Sequence, residues 1–186
     1  KETPIIGGLI IFINLFVLFL IFIFYNDPTF FEIQYFNSSR YIISFFIFSF
    51  LIFILGIYDD KFNLSANIKL LAYSLIFLVV LKLDPNLEIQ RINFSFTEKV
   101  FYLNEFSYFF TIFAFLIFLN AFNMFDGINL QACTYSIFLF LILIYNNFFT
   151  YISIIILISL INYFILNIKG KNFLGDGGTY LLSYII

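Results

Sequence analysis

The sequence contains no histidine, only one cysteine and few charged residues. A single thiol, Cys133, cannot form an internal disulfide, and without histidine a zinc or redox site has no support. With nine basic against eleven acidic residues, the chain offers no basic patch that could neutralise the phosphates of a nucleic acid. Charged residues make up 11% of the chain and apolar residues 63%, a balance that excludes an ordinary soluble domain. The composition therefore places the chain in a lipid bilayer.

Long apolar runs provide the membrane-spanning segments, since about 20 residues of helix cross the hydrocarbon. The sequence predicts six complete spans, over residues 7–25, 41–58, 68–83, 106–125, 133–149 and 151–168. A link over residues 169–178 leads into a seventh span, which the end of the sequence cuts short. Within the 84–104 loop, the alternating string IQRINFSF is compatible with a short hairpin. We therefore predict an all-α, polytopic membrane bundle that forms one domain over residues 1–186 and is incomplete at both ends.

Counting the spans decides which polar segments share a membrane surface, because each crossing changes the side. One surface receives the strings TPIIGG, YDDK, NAFNMFDGIN and GKNFLGDGG, and the other receives the loops 26–40 and 84–104 and the turn 146–150. Basic residues divide five to four between the two surfaces, so the positive-inside rule gives little direction. The second surface carries six acids and no group of residues that resembles a site. We therefore place the first surface in the cytoplasm.

Polar side chains first gather where the fourth span ends. At about 100° per residue, Asn120, Asn123 and Asp126 fall on one face of a helix that Gly127 can end. Three polar groups then point the same way from the end of a span. The alternative is that the amides satisfy backbone groups and that Asp-Gly is only a turn.

The four acids at this surface, Asp59, Asp60, Asp126 and Asp176, call for a positive partner. Adjacent carboxylates repel each other, and the first three acids follow helix C-terminal ends, where the dipole is negative. A divalent cation such as Mg²⁺, which binds a few carboxylates together with phosphate oxygens, would relieve both problems. The alternative is solvation, or pairing with the nearby lysines Lys61, Lys69, Lys169 and Lys171.

The string FLGDGGTY adds a potential anion site. Gly175, Gly177 and Gly178 allow backbone N–H groups to approach an anion at the start of a helix, and this geometry suits a phosphate. Asp176 would oppose an anion on its own, but it fits if its carboxylate holds a metal ion that the phosphates also bind. As an isolated string, GDGG is only a turn.

Together, the strings TPIIGG, GIYDDKFNLSANIKLL, NAFNMFDGIN and FLGDGGTY resemble the motifs of the polyprenyl-phosphate N-acetylhexosamine-1-phosphate transferases, in their order and spacing. The resemblance implies a multi-pass enzyme of the bacterial cytoplasmic (inner) membrane that begins envelope glycan assembly. Such an enzyme transfers a sugar-1-phosphate from a UDP-sugar to a polyprenyl phosphate and releases UMP. The resemblance also implies Mg²⁺ as the cofactor, with Mn²⁺ as a substitute, and it allows a homodimer. The DDKFNLS form is more similar to the branch that uses UDP-N-acetylglucosamine than to the muramoyl-pentapeptide branch, which stays the alternative.

The resemblance also implies roles for individual residues. Asp176 corresponds to a Mg²⁺ ligand, Asp60 to a second metal or diphosphate residue, and Asp59 to a candidate base that keeps the lipid phosphate deprotonated. The remaining implied site residues are Asp126 as a catalytic residue and, on the substrate side, Lys1, Thr3, Asn120, Asn123, Gly175 and Gly177.

Two departures from that pattern bear on activity. Many members carry a second acid three residues after the Asp of the Asp-Gly pair, and here that residue is Asn129. The histidine-containing loop of the family lies beyond the segment that matches FLGDGG, so we expect it in a part of the protein that this sequence does not include.

Two alternatives of other classes are a non-catalytic scaffold and a membrane cation transporter. Transporters place ionisable groups near the middle of the bilayer, whereas these spans offer only uncharged polar side chains at that depth.

Overall fold

The computed structural model describes residues 6–25, 39–96, 99–127, 130–170 and 172–186. The α-helices in these ranges are α1 (Gly7–Tyr25), α2 (Ser39–Phe62), α3 (Ala66–Leu83), α4 (Ser107–Phe125), α5 (Gln131–Tyr145), α6 (Thr150–Ile168) and α7 (Gly175–Ile185). A small antiparallel hairpin, β1 (Arg91–Asn93) and β2 (Val100–Tyr102), separates α3 from α4. The predicted all-α bundle is confirmed.

Five of the described helices, α1, α2, α3, α4 and α6, are long and apolar enough to cross a membrane. Helix α5 is also apolar but has only 15 residues, because Asn146 and Asn147 form a turn where the predicted fifth span continued to residue 149. Helix α7 has 11 residues and corresponds to the partial seventh span. Each predicted span therefore matches one described helix, and the fifth is shorter than expected.

The predicted end of the second span is wrong by about one helical turn. Helix α2 continues to Phe62, and Asn63, with a φ of 50°, ends it in the left-handed region. Asp59 and Asp60 consequently lie within the last turn of α2, where they point at different neighbours. Helix α3 begins at Ala66, two residues before the predicted start of the third span.

The predicted hairpin is confirmed, with Ile92 opposite Phe101 in the middle of the ladder. Its base is attached to the start of α4 by two hydrogen bonds. The N–H of Ile89 donates to Thr111 Oγ1 at 2.9 Å, and the Ser107 hydroxyl donates to the carbonyl of Ile89 at 2.6 Å. These bonds fix the hairpin at the end of the bundle where α3 finishes and α4 begins.

Helix α7 is central to the bundle, because it contacts α1, α2 and α4. Its Leu181 and Leu182 are fully buried in the main apolar cluster together with Ile11 of α1 and Leu160 of α6. A second buried cluster joins α2, α3, α4 and α7 and consists of Ile52, Tyr73, Phe77, Leu119 and Tyr180. The short α7 is thus held on several sides by longer helices.

Glycines allow α7 to approach two of these helices until the backbones touch. A Cβ atom on Gly8 of α1 would lie 2.5 Å from the amide nitrogen of Gly178, and one on Gly56 of α2 would lie 2.4 Å from the Cα of Gly177. Real Cβ atoms do not approach backbone atoms so closely. The first turn of α7 therefore lies between α1 and α2 only because these positions carry no side chain.

We expect Gly56→Ala to lower the free energy of unfolding by about 2–3 kcal/mol, because the added methyl group meets backbone that cannot move aside. Thermal unfolding in detergent measures the change. Gly170→Asn is the matched control, since Gly170 has open space around it and Asn tolerates its φ of 63°. Equal melting temperatures for the two variants would contradict this account of the contact.

Candidate functional site

The carboxylate of Asp60 caps the N-terminus of α7. Its Oδ1 accepts a hydrogen bond from the backbone N–H of Asp176 at 2.7 Å, and its Oδ2 accepts one from the N–H of Gly177 at 3.1 Å. The first amides of a helix have no partner within the helix and lie at the positive end of its dipole, so an anion stabilises them. The chain itself thus provides the anion that the sequence analysis expected from a ligand.

The capping of α7 by Asp60 affects the anion site that the sequence predicts at the glycines of FLGDGGTY. The amide of Gly177 is occupied by Asp60, and a Cβ atom on Gly177 would lie only 3.2 Å from Cγ1 and 3.3 Å from the amide nitrogen of Ile57 in α2. Gly175 begins the helix with a φ of 73°, which favours glycine for conformational reasons. The assignment of Gly175 and Gly177 to substrate binding stays a prediction, and both glycines already have a structural reason.

Asp59 is the most buried acid of the site, with 1% of its surface exposed. Its Oδ2 forms an ion pair with Lys69 of α3 and accepts a hydrogen bond from the Tyr180 hydroxyl at 3.4 Å. Its Oδ1 accepts from the N–H of Leu64 at 2.9 Å. Both oxygens are therefore engaged, and the predicted role of Asp59 as a base stays a prediction.

Lys69 links two of the four acids. Besides its ion pair with Asp59, its Nζ lies 3.8 Å from Oδ2 of Asp176. Lysine pairing was one of the alternatives left open by the sequence, and it applies to Lys69. The positive charge also lies where α2, α3 and α7 meet, beside the carboxylate of Asp176, and 31% of the Asp176 side chain is accessible.

Asn123 joins α4 to the same place through both ends of its amide. Its Nδ2 donates to the Tyr180 hydroxyl oxygen at 2.9 Å, and its Oδ1 accepts from the Thr179 hydroxyl at 2.8 Å. Thr179 Oγ1 also lies 3.1 Å from the carbonyl oxygen of Asp176. The amide oxygen of Asn123 thus faces the first turn of α7.

The other two residues of the predicted polar face of α4 behave differently. Asn120 donates to the carbonyl of Leu116 in its own helix at 2.8 Å, as the alternative interpretation proposed. Asp126 lies directly after α4 and is partly buried. Burial, together with the nearby Asp176 carboxylate, raises the pKa of Asp126 to about 7. The site therefore concentrates more negative charge than its described side chains neutralise.

Lys1 and Thr3, predicted to lie on the substrate side, are outside the described residues. The segment that follows them is fixed beside the start of α7. The N–H of Ile6 donates to Asn172 Oδ1 at 2.8 Å, and the N–H groups of Gly7 and Gly8 donate to the carbonyls of Phe173 and Leu174 at 2.9 and 3.1 Å. The described end of the TPIIGG string, from Ile6 to Gly8, is therefore a neighbour of the FLGDGG string.

The described residues give no support for a metal site in which protein side chains supply every ligand. Within the described ranges, no group of three or more Asp, Glu, His or Cys side chains is arranged to hold a metal ion. Mg²⁺ commonly uses one or two carboxylates and completes its coordination with waters and substrate phosphates. The accessible Asp176 carboxylate and the amide oxygen of Asn123 fit that smaller donor set.

The sequence analysis missed Tyr180 and Thr179, and it named Lys69 only as one of four lysines that could pair with the acids. One signal for the first two was available, since they directly follow GDGG and occupy the first turns of a helix. For Lys69 the signal was its place one turn into the helix after Asp59 and Asp60. Neither signal says which neighbour each side chain meets, because that depends on the packing of α7 between other helices.

Comparison with known proteins gives one family and a set of relatives. The model of a family described as glycosyl transferase family 4 matches residues 42–186. The undecaprenyl-phosphate alpha-N-acetylglucosaminyl 1-phosphate transferase of Salmonella typhi is 29% identical over 143 residues, which cover 70% of this chain and 38% of that protein. The transferase of the same name from Escherichia coli O157:H7 is 29% identical over 147 residues, or 73% and 40% of the two chains. The chain thus matches about two fifths of the length of these relatives. No solved structure matches the chain.

We expect Lys69→Met to lower the free energy of unfolding by about 3 kcal/mol, because it leaves the buried carboxylate of Asp59 without its cation. The double variant Lys69→Met, Asp59→Asn should recover part of this loss, since it removes the unpaired charge. Thermal unfolding in detergent measures both. Lys61→Met is the control, because Lys61 is exposed. A Lys69→Met protein as stable as Lys61→Met would show that the ion pair of Lys69 and Asp59 does not contribute to stability.

We expect Asp126→Asn to stabilise the protein, and more strongly at pH 8 than at pH 5. The raised pKa means that the folded protein disfavours the ionised carboxylate, so stability falls as the pH rises from the unfolded value of 3.8 to about 7. Discounted for partial exposure, the gain at pH 8 is about 1–2 kcal/mol. Melting temperatures at the two pH values, without divalent cations, measure it, and an equal gain at both would contradict the prediction.

Proposed function

Because this chain belongs to glycosyl transferase family 4, we propose that it is part of an integral membrane enzyme that transfers a sugar-1-phosphate from a UDP-sugar to a polyprenyl phosphate and releases UMP. The relatives are named for undecaprenyl phosphate and an alpha-N-acetylglucosaminyl 1-phosphate group. We therefore take N-acetylhexosamine-1-phosphate as the transferred group and undecaprenyl phosphate as the acceptor lipid. The product is a lipid-linked sugar diphosphate, which is the starting unit of an envelope glycan.

One observation supports this proposal most strongly. Side chains from three helices meet at one end of an apolar bundle: Lys69 from α3, Asp176 from α7 and Asn123 from α4. The same end carries Asp59, Asp60 and Asp126, and we call it the acidic end. A reaction between a lipid phosphate and a nucleotide diphosphate needs charged groups at the membrane surface, where the two substrates can meet. A transporter would need them at mid-bilayer depth.

The reaction chemistry suits these residues. An oxygen of the lipid phosphate attacks the phosphorus attached to the sugar, the bond between the two phosphates of the UDP-sugar breaks, and UMP leaves with those electrons. A phosphate monoester is largely ionised near neutral pH and needs little help from a base. The protein must therefore align the substrates and neutralise their combined negative charge.

The residues can divide this task. Lys69, held by Asp59, places a positive charge beside the diphosphate, and this use of Asp59 requires no proton transfer. Asp60 holds the start of α7 in place and so fixes Asp176. Asp176 and Asn123 would hold a Mg²⁺ ion, which supplies positive charge to the diphosphate when bound. We place the acidic end at the cytoplasmic face of a bacterial inner membrane, because nucleotide sugars are cytoplasmic substrates.

We expect Asp176→Asn in the full-length protein to lower turnover by at least about 100-fold without unfolding the protein, because it removes the carboxylate that we assign to the metal ion. UMP release in detergent with UDP-N-acetylglucosamine, undecaprenyl phosphate and Mg²⁺ measures the rate. Asp84→Asn is the matched control, since Asp84 caps a turn at the opposite end of α3. Full activity in Asp176→Asn would remove the metal assignment, and no UMP from any UDP-sugar would reject the function.

A further inference from the structure

Tyr180 is a buried tyrosine whose hydroxyl lies between two predicted site residues. Only 1% of its surface is exposed, and its ring packs in the cluster between α2, α3, α4 and α7. Its hydroxyl lies 2.9 Å from Nδ2 of Asn123 and 3.4 Å from Oδ2 of Asp59. Tyr180 therefore bridges the ends of α4 and α2.

The chemistry of these groups determines which group donates in each of the two hydrogen bonds of Tyr180. A carboxylate can only accept hydrogen bonds, so the single proton of the Tyr180 hydroxyl points to Asp59. Towards Asn123 the hydroxyl can then only accept, which selects the NH₂ end of the amide. The oxygen of Asn123 is left to face Thr179, whose hydroxyl also reaches the carbonyl of Asp176.

Resting on the function proposed above, we propose that Tyr180 is a positioning residue that fixes the amide of Asn123 with its oxygen turned towards the first turn of α7. A hard cation such as Mg²⁺ binds an amide oxygen and is repelled by an amide N–H group. The orientation of this amide thus decides whether α4 offers the cation a ligand. Tyr180 acts through Asn123 and does not itself touch the cation.

Loss of the hydroxyl has a defined consequence. Without it, the NH₂ group of Asn123 has no fixed acceptor, and the amide can turn its nitrogen to Thr179, which also accepts hydrogen bonds. Asp59 keeps its ion pair with Lys69 and its bond from Leu64. The variant also removes the hydrogen bond from Tyr180 to Asp59, but it leaves the charges of the acidic end unaltered.

Tyr73 provides a matched control. It belongs to α3, is 3% exposed, and its ring centroid lies 4.9 Å from that of Tyr180. Its buried hydroxyl has no hydrogen-bond partner among the described residues. Tyr73→Phe thus removes the same atom from the same cluster without touching Asn123.

The test compares wild type, Tyr180→Phe and Tyr73→Phe as full-length proteins in detergent. Binding of Mn²⁺ is measured by electron paramagnetic resonance without UDP-sugar, and UMP release is measured over a range of Mg²⁺ concentrations. Partners that orient metal ligands commonly contribute 10–100-fold in affinity. We expect Tyr180→Phe to weaken Mn²⁺ binding and raise the half-saturating Mg²⁺ concentration by about 10-fold. The KM for the UDP-sugar should change by less than about twofold, because the predicted contact is to the cation.

Each outcome decides something separate. If Tyr180→Phe and Tyr73→Phe bind Mn²⁺ equally well, the inference is overturned. If wild type binds Mn²⁺ but releases no UMP, the proposed function fails, and the Mn²⁺ comparison alone decides the role of Tyr180. If wild type binds no Mn²⁺ and needs no Mg²⁺, both the metal assignment and the positioning role are rejected.

Discussion

The rest of the structure depends on one constraint, which is the direct backbone contact of α7 with α1 and α2. Because Gly177 and Gly178 touch Gly56 and Gly8, the start of α7 lies close enough to α2 for Asp60 to accept two of its amides. This position also brings Asp176 to Lys69 and Tyr180 to Asp59. A few ångströms of added separation would break these contacts together.

The acidic end has a second constraint, which is the balance of charge. The N-terminus of α7 neutralises Asp60, and the partly exposed Lys69 neutralises Asp59, so both carboxylates have a partner within the protein. Asp176 shares Lys69 with Asp59, at 3.8 Å, and burial together with the Asp176 carboxylate raises the pKa of Asp126. The folded protein thus has an excess of negative charge at the place where the proposed substrates would add further negative charge.

The sequence predicted the architecture well because spans are set by length and apolar content, which are local properties. It also brought the four acids to one surface by counting crossings. It could not assign Asp60 to the amides of α7 or Lys69 to Asp59, since those pairings depend on how helices pack. The same limit applies to the predicted phosphate site, because the sequence does not show that the glycines of GDGG contact other helices or that Asp60 already occupies two of its amides. The end of α2 was misplaced because Asp59 and Asp60 look like loop residues, although a helix accommodates them.

The sequence separation within the acidic end has a consequence for biogenesis. Asp59 and Lys69 emerge from the ribosome almost together and lie on consecutive helices, so they can neutralise each other as soon as α3 enters the bilayer. Asp60 must wait for amides that are 116 residues further along the chain. During synthesis its carboxylate therefore lacks these amide partners, and the site is completed only when the last described helix is inserted.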